Sequence, residues 1–129
     1  MAKRIDALVA QRILGRGAQL VDVLPASIFV QEHLPGARSI PLETMNAAAV
    51  ADVRRDESVV VYCFDQHRDL SARAACRLEQ LGFTGVSDVI GGRAAWTVLG
   101  LPTEGQIGDR RRVSAFVLPA PSAACSSVW

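Results

Sequence analysis

Cys63 follows four apolar residues, Val59 to Tyr62, and opens the polar stretch Phe64-Asp65-Gln66-His67-Arg68-Asp69-Leu70-Ser71. A thiol placed where an apolar strand ends can act as a nucleophile if its charged form is supported, because the thiolate attacks and the thiol does not. In open parallel α/β sheets ligands sit outside the carboxyl ends of the strands, where loop N–H groups and the N-terminus of the next helix form an anion cradle. The helix dipole contributes ~0.3 to 1 kcal/mol to an anion there, and up to ~2 kcal/mol in a partly buried geometry. Arg68, a planar and permanently charged donor, is the side chain suited to hold an anionic group beside Cys63.

Asp65 and Asp69 oppose this. A carboxylate about 4 Å from a thiolate costs ~1 kcal/mol under water-like screening and ~4 kcal/mol at an effective dielectric constant near 20. The larger figure exceeds the helix-dipole gain. A reactive Cys63 therefore requires Asp65 to face solvent or pair with Arg68, and Asp69 to stand at the first turn of the following helix, where negative charge is favourable.

The elements that position this loop read as alternating strands and helices. Ile5, Leu8, Val9, Ile13 and Leu14 recur at helical spacing, which predicts an amphipathic helix over Arg4 to Leu14 lying as a lid on the core and ended by Gly15 and Gly17. Gln19 to Val23 reads as a buried strand, and Pro25 marks the start of a helix. Pro35 to Leu42 reads as turn, short strand and turn, followed by a helix from Leu42 to about Arg54. Val59 to Tyr62 is a continuous run of strand formers, as expected for a central strand covered on both faces. From Ser71, Ala74, Leu78 and Leu81 share a helical face and Gly82 supplies the stop. Val86 to Ile90 is one more strand, Gly91-Gly92 a tight turn, and Arg93 to Gly100 a last helix. The pattern implies an α/β fold: a small parallel β-sheet flanked by helices on both faces.

The chain has 129 residues, half of them hydrophobic, enough for one core. Residues 1–102 are expected to form one domain that includes the N-terminal helix, and residues 103–129 a tail. The net charge of +1, from 14 Lys and Arg against 13 Asp and Glu, supplies no field to gather nucleic acid or acidic membrane. No apolar run reaches the ~18 to 20 residues that span a bilayer, and charge interrupts the N-terminus, so a soluble chain without a signal peptide is expected. The three cysteines are widely spaced and lack a C-x-x-C, which suggests neither a disulfide framework nor a metal site and fits a reducing, cytoplasmic compartment.

The fragments Leu-Val-Asp-Val-Leu-Pro (20–25), Glu-His-Leu-Pro-Gly-Ala-Arg-Ser-Ile-Pro-Leu (32–42), Val-Val-Val-Tyr-Cys (59–63), Ser71 to Phe83 and Gly-Gly-Arg-Ala-Ala-Trp (91–96) occur in the order of a rhodanese homology domain, which residues 20–102 resemble. The resemblance implies a sulfurtransferase: Cys63 takes a sulfane sulfur from a donor such as thiosulfate, holds it as a persulfide, and passes it to cyanide, a thiol or a protein acceptor. It implies no cofactor. Phe64, Asp65, Gln66, His67, Arg68, Asp69, Leu70 and Ser71 form the loop that would hold the substrate.

This loop departs from the common family form, which resembles C-x-x-G-x-R-S. The Cys63 to Arg68 offset is kept, but Gln66 stands at the glycine position, and Asp69-Leu70 lengthen the loop before Ser71, as in some bacterial single-domain rhodaneses. A related cysteine phosphatase would need C-x5-R around a phosphate dianion, and here the spacing is one residue short. A non-catalytic rhodanese-like module that binds a partner protein is the alternative from a different class. His67 reads as an exposed loop residue, since transfer between thiolates needs no proton shuttle. Cys76 reads as core packing within its helix, Cys125 as an incidental thiol, His33 as part of a structural turn, Asp22 as a hydrogen-bond acceptor for loop backbone, and Trp96 as core.

Overall fold

The computed structural model describes residues 2–64 and 69–106. In chain order it contains β1 (Lys3–Ile5), α1 (Ala7–Leu14), β2 (Gln19–Asp22), α2 (Ala26–Gln31), β3 (Arg38–Ser39), a 3-10 turn at Leu42–Thr44, β4 (Val59–Tyr62), α3 (Leu70–Gln80), β5 (Val86–Val89) and α4 (Gly92–Val98). The five strands form one parallel sheet in the order β1-β5-β4-β2-β3, with β4 at its centre.

The side-chain alternation of a strand divides the core into two layers. Val59, Val61 and Cys63 point to the face covered by Ala74, Ala75 and Leu78 of α3. Val60 and Tyr62 point to the other face, against Ala7 and Ala10 of α1 and Trp96 of α4. All four residues of β4 are buried, as a strand covered on both faces requires. The expected α/β architecture is therefore present.

Three expectations need correction. The helix expected over Arg4 to Leu14 is shorter, because Lys3–Ile5 pairs in parallel with Ser87 to Val89 as an edge strand. Asp6 then caps α1, its carboxylate accepting from the Val9 N–H at 2.8 Å, and the buried residues of α1 are Ala7 and Ala10, while Leu8 is exposed. The helix expected from Leu42 to about Arg54 is replaced by the 3-10 turn and a series of turns. Met45 is extended, and the Asn46 side chain accepts from the Ala49 N–H at 2.9 Å, so a new turn begins there and buries Met45, Val50 and Val53 without a continuous helix. Cys76 is exposed and does not pack in the core. The buried stripe of α3 is Ser71, Ala74, Ala75 and Leu78, and position 76 lies about 200° around the helix from Ala74.

The carboxyl end of the sheet is held by buried polar contacts. The Tyr62 hydroxyl donates to Asp22 Oδ2 at 2.6 Å and accepts from the Leu34 N–H at 3.0 Å, while Asp22 Oδ1 accepts from the Leu24 N–H at 2.8 Å. Arg93 donates to the Glu32 carbonyl at 2.6 Å, and Thr103 Oγ1 donates to Glu32 Oε2 at 2.7 Å. His33 and Glu104 exchange backbone hydrogen bonds, so the ties to the fold run on to Glu104. His33 also donates from Nδ1 to the Phe29 carbonyl at 2.7 Å, and Trp96 Nε1 donates to the Pro102 carbonyl at 2.8 Å. Residues 107–129, including Cys125 and most of the expected tail, lie outside the described residues.

Gly91 and Gly92 both take positive φ, 79° and 55°. A Cβ at Gly92 would meet the Cys63 carbonyl oxygen, whereas one at Gly36, also at positive φ, would meet nothing within 4 Å. Gly92→Ala is therefore expected to lower the melting temperature more than Gly36→Ala, whose cost is limited to the conformational strain of about 1 to 3 kcal/mol. Thermal melts of the two variants check this. Tyr62→Phe removes one donor and one acceptor from buried partners and is expected to cost about 1 to 3 kcal/mol at pH 7. Burial pushes the Asp22 carboxyl up, and the Tyr62 hydrogen bond pulls it down by favouring the ionised form. The part of stability lost in Tyr62→Phe is thus present while Asp22 is ionised and fades as pH falls, so denaturant midpoints of wild type and variant should converge on acidification.

Candidate active site

β4 delivers Cys63 to the carboxyl end of the sheet on the α3 face. Its carbonyl accepts from the Arg93 N–H at 2.9 Å, and the Phe64 carbonyl accepts from the Ala94 N–H, also at 2.9 Å. The first turn of α4 thus clamps the two residues that begin the loop. Only glycine at 92 lets the two backbones come this close.

Cys63 Sγ lies 3.4 Å from Ser71 Oγ, within hydrogen-bond reach for sulfur. Ser71 is in the first turn of α3 and is itself buried. Cys63 is 1 % exposed.

Phe64 is exposed at 41 %, and the Arg93 guanidinium lies 4.8 Å from the centre of its ring, a cation–π contact. Asp69 stands at the N-terminal end of α3, where its charge complements the dipole, but its side chain makes no capping hydrogen bond. Leu70 is half buried and lines a groove of about 550 Å³ together with Val23, Pro25, Ile28, Pro41, Leu42, Glu43, Arg73 and Arg77. Cys63 does not line this groove. The expectations for Asp65, Gln66, His67 and Arg68 fall outside the described residues. Among the described residues no group of three or more His, Cys, Asp or Glu side chains has the geometry to hold a metal ion.

Asp88 and Arg4 were not expected at this site. Asp88 is 3 % exposed, its carboxyl accepts a hydrogen bond from Ser71, and its Oδ2 is 4.0 Å from Arg4 Nε. Burial pushes the Asp88 carboxyl above the ordinary carboxylate range, and the Ser71 hydrogen bond and Arg4 charge offset only part of that rise. A signal was present in the sequence: an acidic residue at the alternate position to Val86, in a strand expected to be buried on both faces, has to find a polar partner. What the sequence does not show is that the partner is Ser71.

Comparison with known proteins agrees with this geometry. Residues 6–98 match the family model described as "Rhodanese-like domain". The chain is 30 % identical over 111 residues to a protein of Arabidopsis thaliana named thiosulfate sulfurtransferase 16, chloroplastic, covering 78 % of this chain and 91 % of the relative. It is 37 % identical over 95 residues to the thiosulfate sulfurtransferase GlpE of Pseudomonas savastanoi pv. phaseolicola, covering 73 % and 86 %. Among solved structures, the rhodanese-like domain of the Anabaena protein Alr3790 superposes with a TM-score of 0.74 at 31 % identity, covering 85 % of this chain and 84 % of that one. The BH2092 protein of Bacillus halodurans gives 0.78 at 26 %, covering 84 % and 81 %. With the sheet order, the cysteine at the end of the central strand and these likenesses together, the chain belongs to the rhodanese-like domain family.

Proposed function

We propose that this protein is a single-domain sulfurtransferase that carries sulfane sulfur on Cys63. One observation carries the reading: Cys63 ends the central strand of a parallel sheet, with its carbonyl tied to α4 and its sulfur against Ser71 in the first turn of α3. This is the address at which loop amides and a helix dipole favour an anion. Relatives named thiosulfate sulfurtransferase support the chemistry at the level of the family.

In the proposed reaction the Cys63 sulfur attacks the sulfane sulfur of thiosulfate. An S–S bond forms to Cys63, the S–S bond of the donor breaks, and sulfite leaves with the electron pair. Cyanide or a thiolate then attacks the outer sulfur of the persulfide, and Cys63 departs as the leaving group. No external oxidant or cofactor enters either half. Arg68 holds the anionic donor, with Phe64, Asp65, Gln66, His67, Asp69, Leu70 and Ser71 completing the substrate loop. The domain occupies residues 1–102, followed by the tail, and works in the cytoplasm on small sulfur donors with thiol, cyanide or protein acceptors, without nucleic acid or membrane. Among the described residues no helix is long and apolar enough to cross a membrane.

A second reading, a non-catalytic module that docks a partner protein, draws support from the 1 % exposure of Cys63. The two diverge in a direct test. Incubation with thiosulfate followed by intact mass should show a gain of one sulfur atom, mapped to the Cys63 peptide, and a thiosulfate:cyanide assay should show turnover that Cys63→Ser reduces to the uncatalysed background. Wild-type protein that gains no sulfur and shows no turnover favours the module.

A further inference from the structure

The groove of about 550 Å³ that Leu70 lines runs between α3 and the 3-10 turn, on the same side of the sheet as Cys63. Its walls are largely apolar: Val23 belongs to the core layer that holds Cys63, and Ile28, Leu42 and Leu70 pack against that layer. Leu70 immediately precedes Ser71, whose Oγ is 3.4 Å from Cys63 Sγ, so one end of the groove lies a residue away from the sulfur contact. The α3 side carries Arg73 and Arg77, both exposed, and among the described residues neither guanidinium has an ion pair. The loading of Cys63 makes no use of either arginine.

We propose that this groove seats the sulfur acceptor, and that the acceptor is a small alkyl thiol ending in a carboxylate. This rests on the sulfurtransferase reading of Cys63 and deepens it by naming the class of molecule that discharges the persulfide. The acceptor's alkyl chain lies along the apolar wall, its carboxylate meets Arg73 and Arg77, and its thiolate reaches past Leu70 to the outer sulfur. An S–S bond forms between the acceptor and that sulfur, the bond from the outer sulfur to Cys63 breaks, and Cys63 leaves with the electron pair. The acceptor departs as a persulfide, and no oxidant or reductant enters.

Size, charge and length all point to this class. A cavity of this volume matches a small organic molecule, whereas cyanide would leave it empty. Arg73 and Arg77 are four residues apart on α3 and so share one face, and a guanidinium fork matches a carboxylate. Glu43 is the one acidic residue lining the groove; it stands on the 3-10 turn, so its repulsion leaves the α3 side as the place for an anion. From Ser71 to Arg77 the helix rises about 9 Å at ~1.5 Å per residue. A chain of about five methylenes between thiol and carboxylate has a comparable span at ~1.5 Å per bond.

The test compares three acceptors with the thiosulfate-loaded full chain: 6-mercaptohexanoate, its neutral counterpart 6-mercaptohexanol, and the short acid 3-mercaptopropionate. The expected kcat/KM for 6-mercaptohexanoate exceeds that for the alcohol by at least about fivefold, from the charged hydrogen bonds, and that for the short acid by at least about tenfold, from the buried methylenes. Both preferences lie mainly in KM. The preference over the alcohol falls toward one in Arg73→Gln/Arg77→Gln and with rising salt, and grows in Glu43→Gln. Equal use of the acid and the alcohol by wild type, or a preference that the arginine variant keeps, overturns the proposal. Sulfur loading is followed separately by intact mass, and hexanoate binding by NMR shifts at Leu42, Leu70 and Arg77. Hexanoate that does not bind, whether the groove is empty or covered by a second copy, also overturns the proposal. Wild type that gains no sulfur yet binds hexanoate through the arginines overturns the transferase reading and with it the acceptor's role, while the carboxylate site stands.

Discussion

Two backbone hydrogen bonds organise this molecule: the N–H groups of Arg93 and Ala94 donate to the carbonyls of Cys63 and Phe64. A strand at the centre of a parallel sheet has no further ladder partner once it passes the end of its neighbours, and buried carbonyls left there would cost about 1 to 3 kcal/mol each. The first turn of α4 has N–H groups with no partner inside the helix. Each end satisfies the other, but only if the backbones approach closely, which is why the pair Gly91-Gly92 precedes the helix with φ of 79° and 55°. With its backbone held in this way, Cys63 keeps the alternation of β4 and directs its sulfur to the α3 side, where the first turn of that helix supplies Ser71.

The buried carboxyls around this clamp differ in how fully they are compensated. Asp22 accepts from a backbone N–H and a tyrosine hydroxyl, and Glu32 is engaged by Thr103 and lies 3.9 Å from Arg93 Nε. These are networks that brace the turns at the carboxyl end of the sheet, and a satisfied network of this kind specifies one arrangement. Asp88 is equally buried, yet it has a hydrogen bond on one side, a mostly exposed arginine 4.0 Å away, and an oxygen with no donor among the described residues. An incompletely compensated buried carboxyl is expensive as structure.

Much of the fold was legible because the strongest signals are local. The four-residue run Val59 to Tyr62, the stripe Ala74, Leu78 and Leu81 with Gly82 behind it, and the glycine pair at 91 and 92 each require only the period or the φ of their own segment. The misread elements depend on partners far away in the chain. Lys3–Ile5 is a strand because β5 offers an open edge, a fact that three residues cannot express. The segment after Leu42 has helical composition, but Asn46 competes for its backbone and the apolar residues reach the core through turns. At the site, the strand-end position of Cys63 followed from the pattern, whereas the meeting of Ser71 with Asp88 follows from a helix crossing over a strand that comes later in the chain.

The two outer strands of the sheet are three and two residues long, and they carry Lys3, Arg4 and Arg38. Open rows of amide and carbonyl groups on such edges invite pairing with other chains, and shortness together with cationic side chains is how natural proteins discourage it. An apolar five-stranded sheet is thereby bordered by segments too brief and too strongly charged to template another strand.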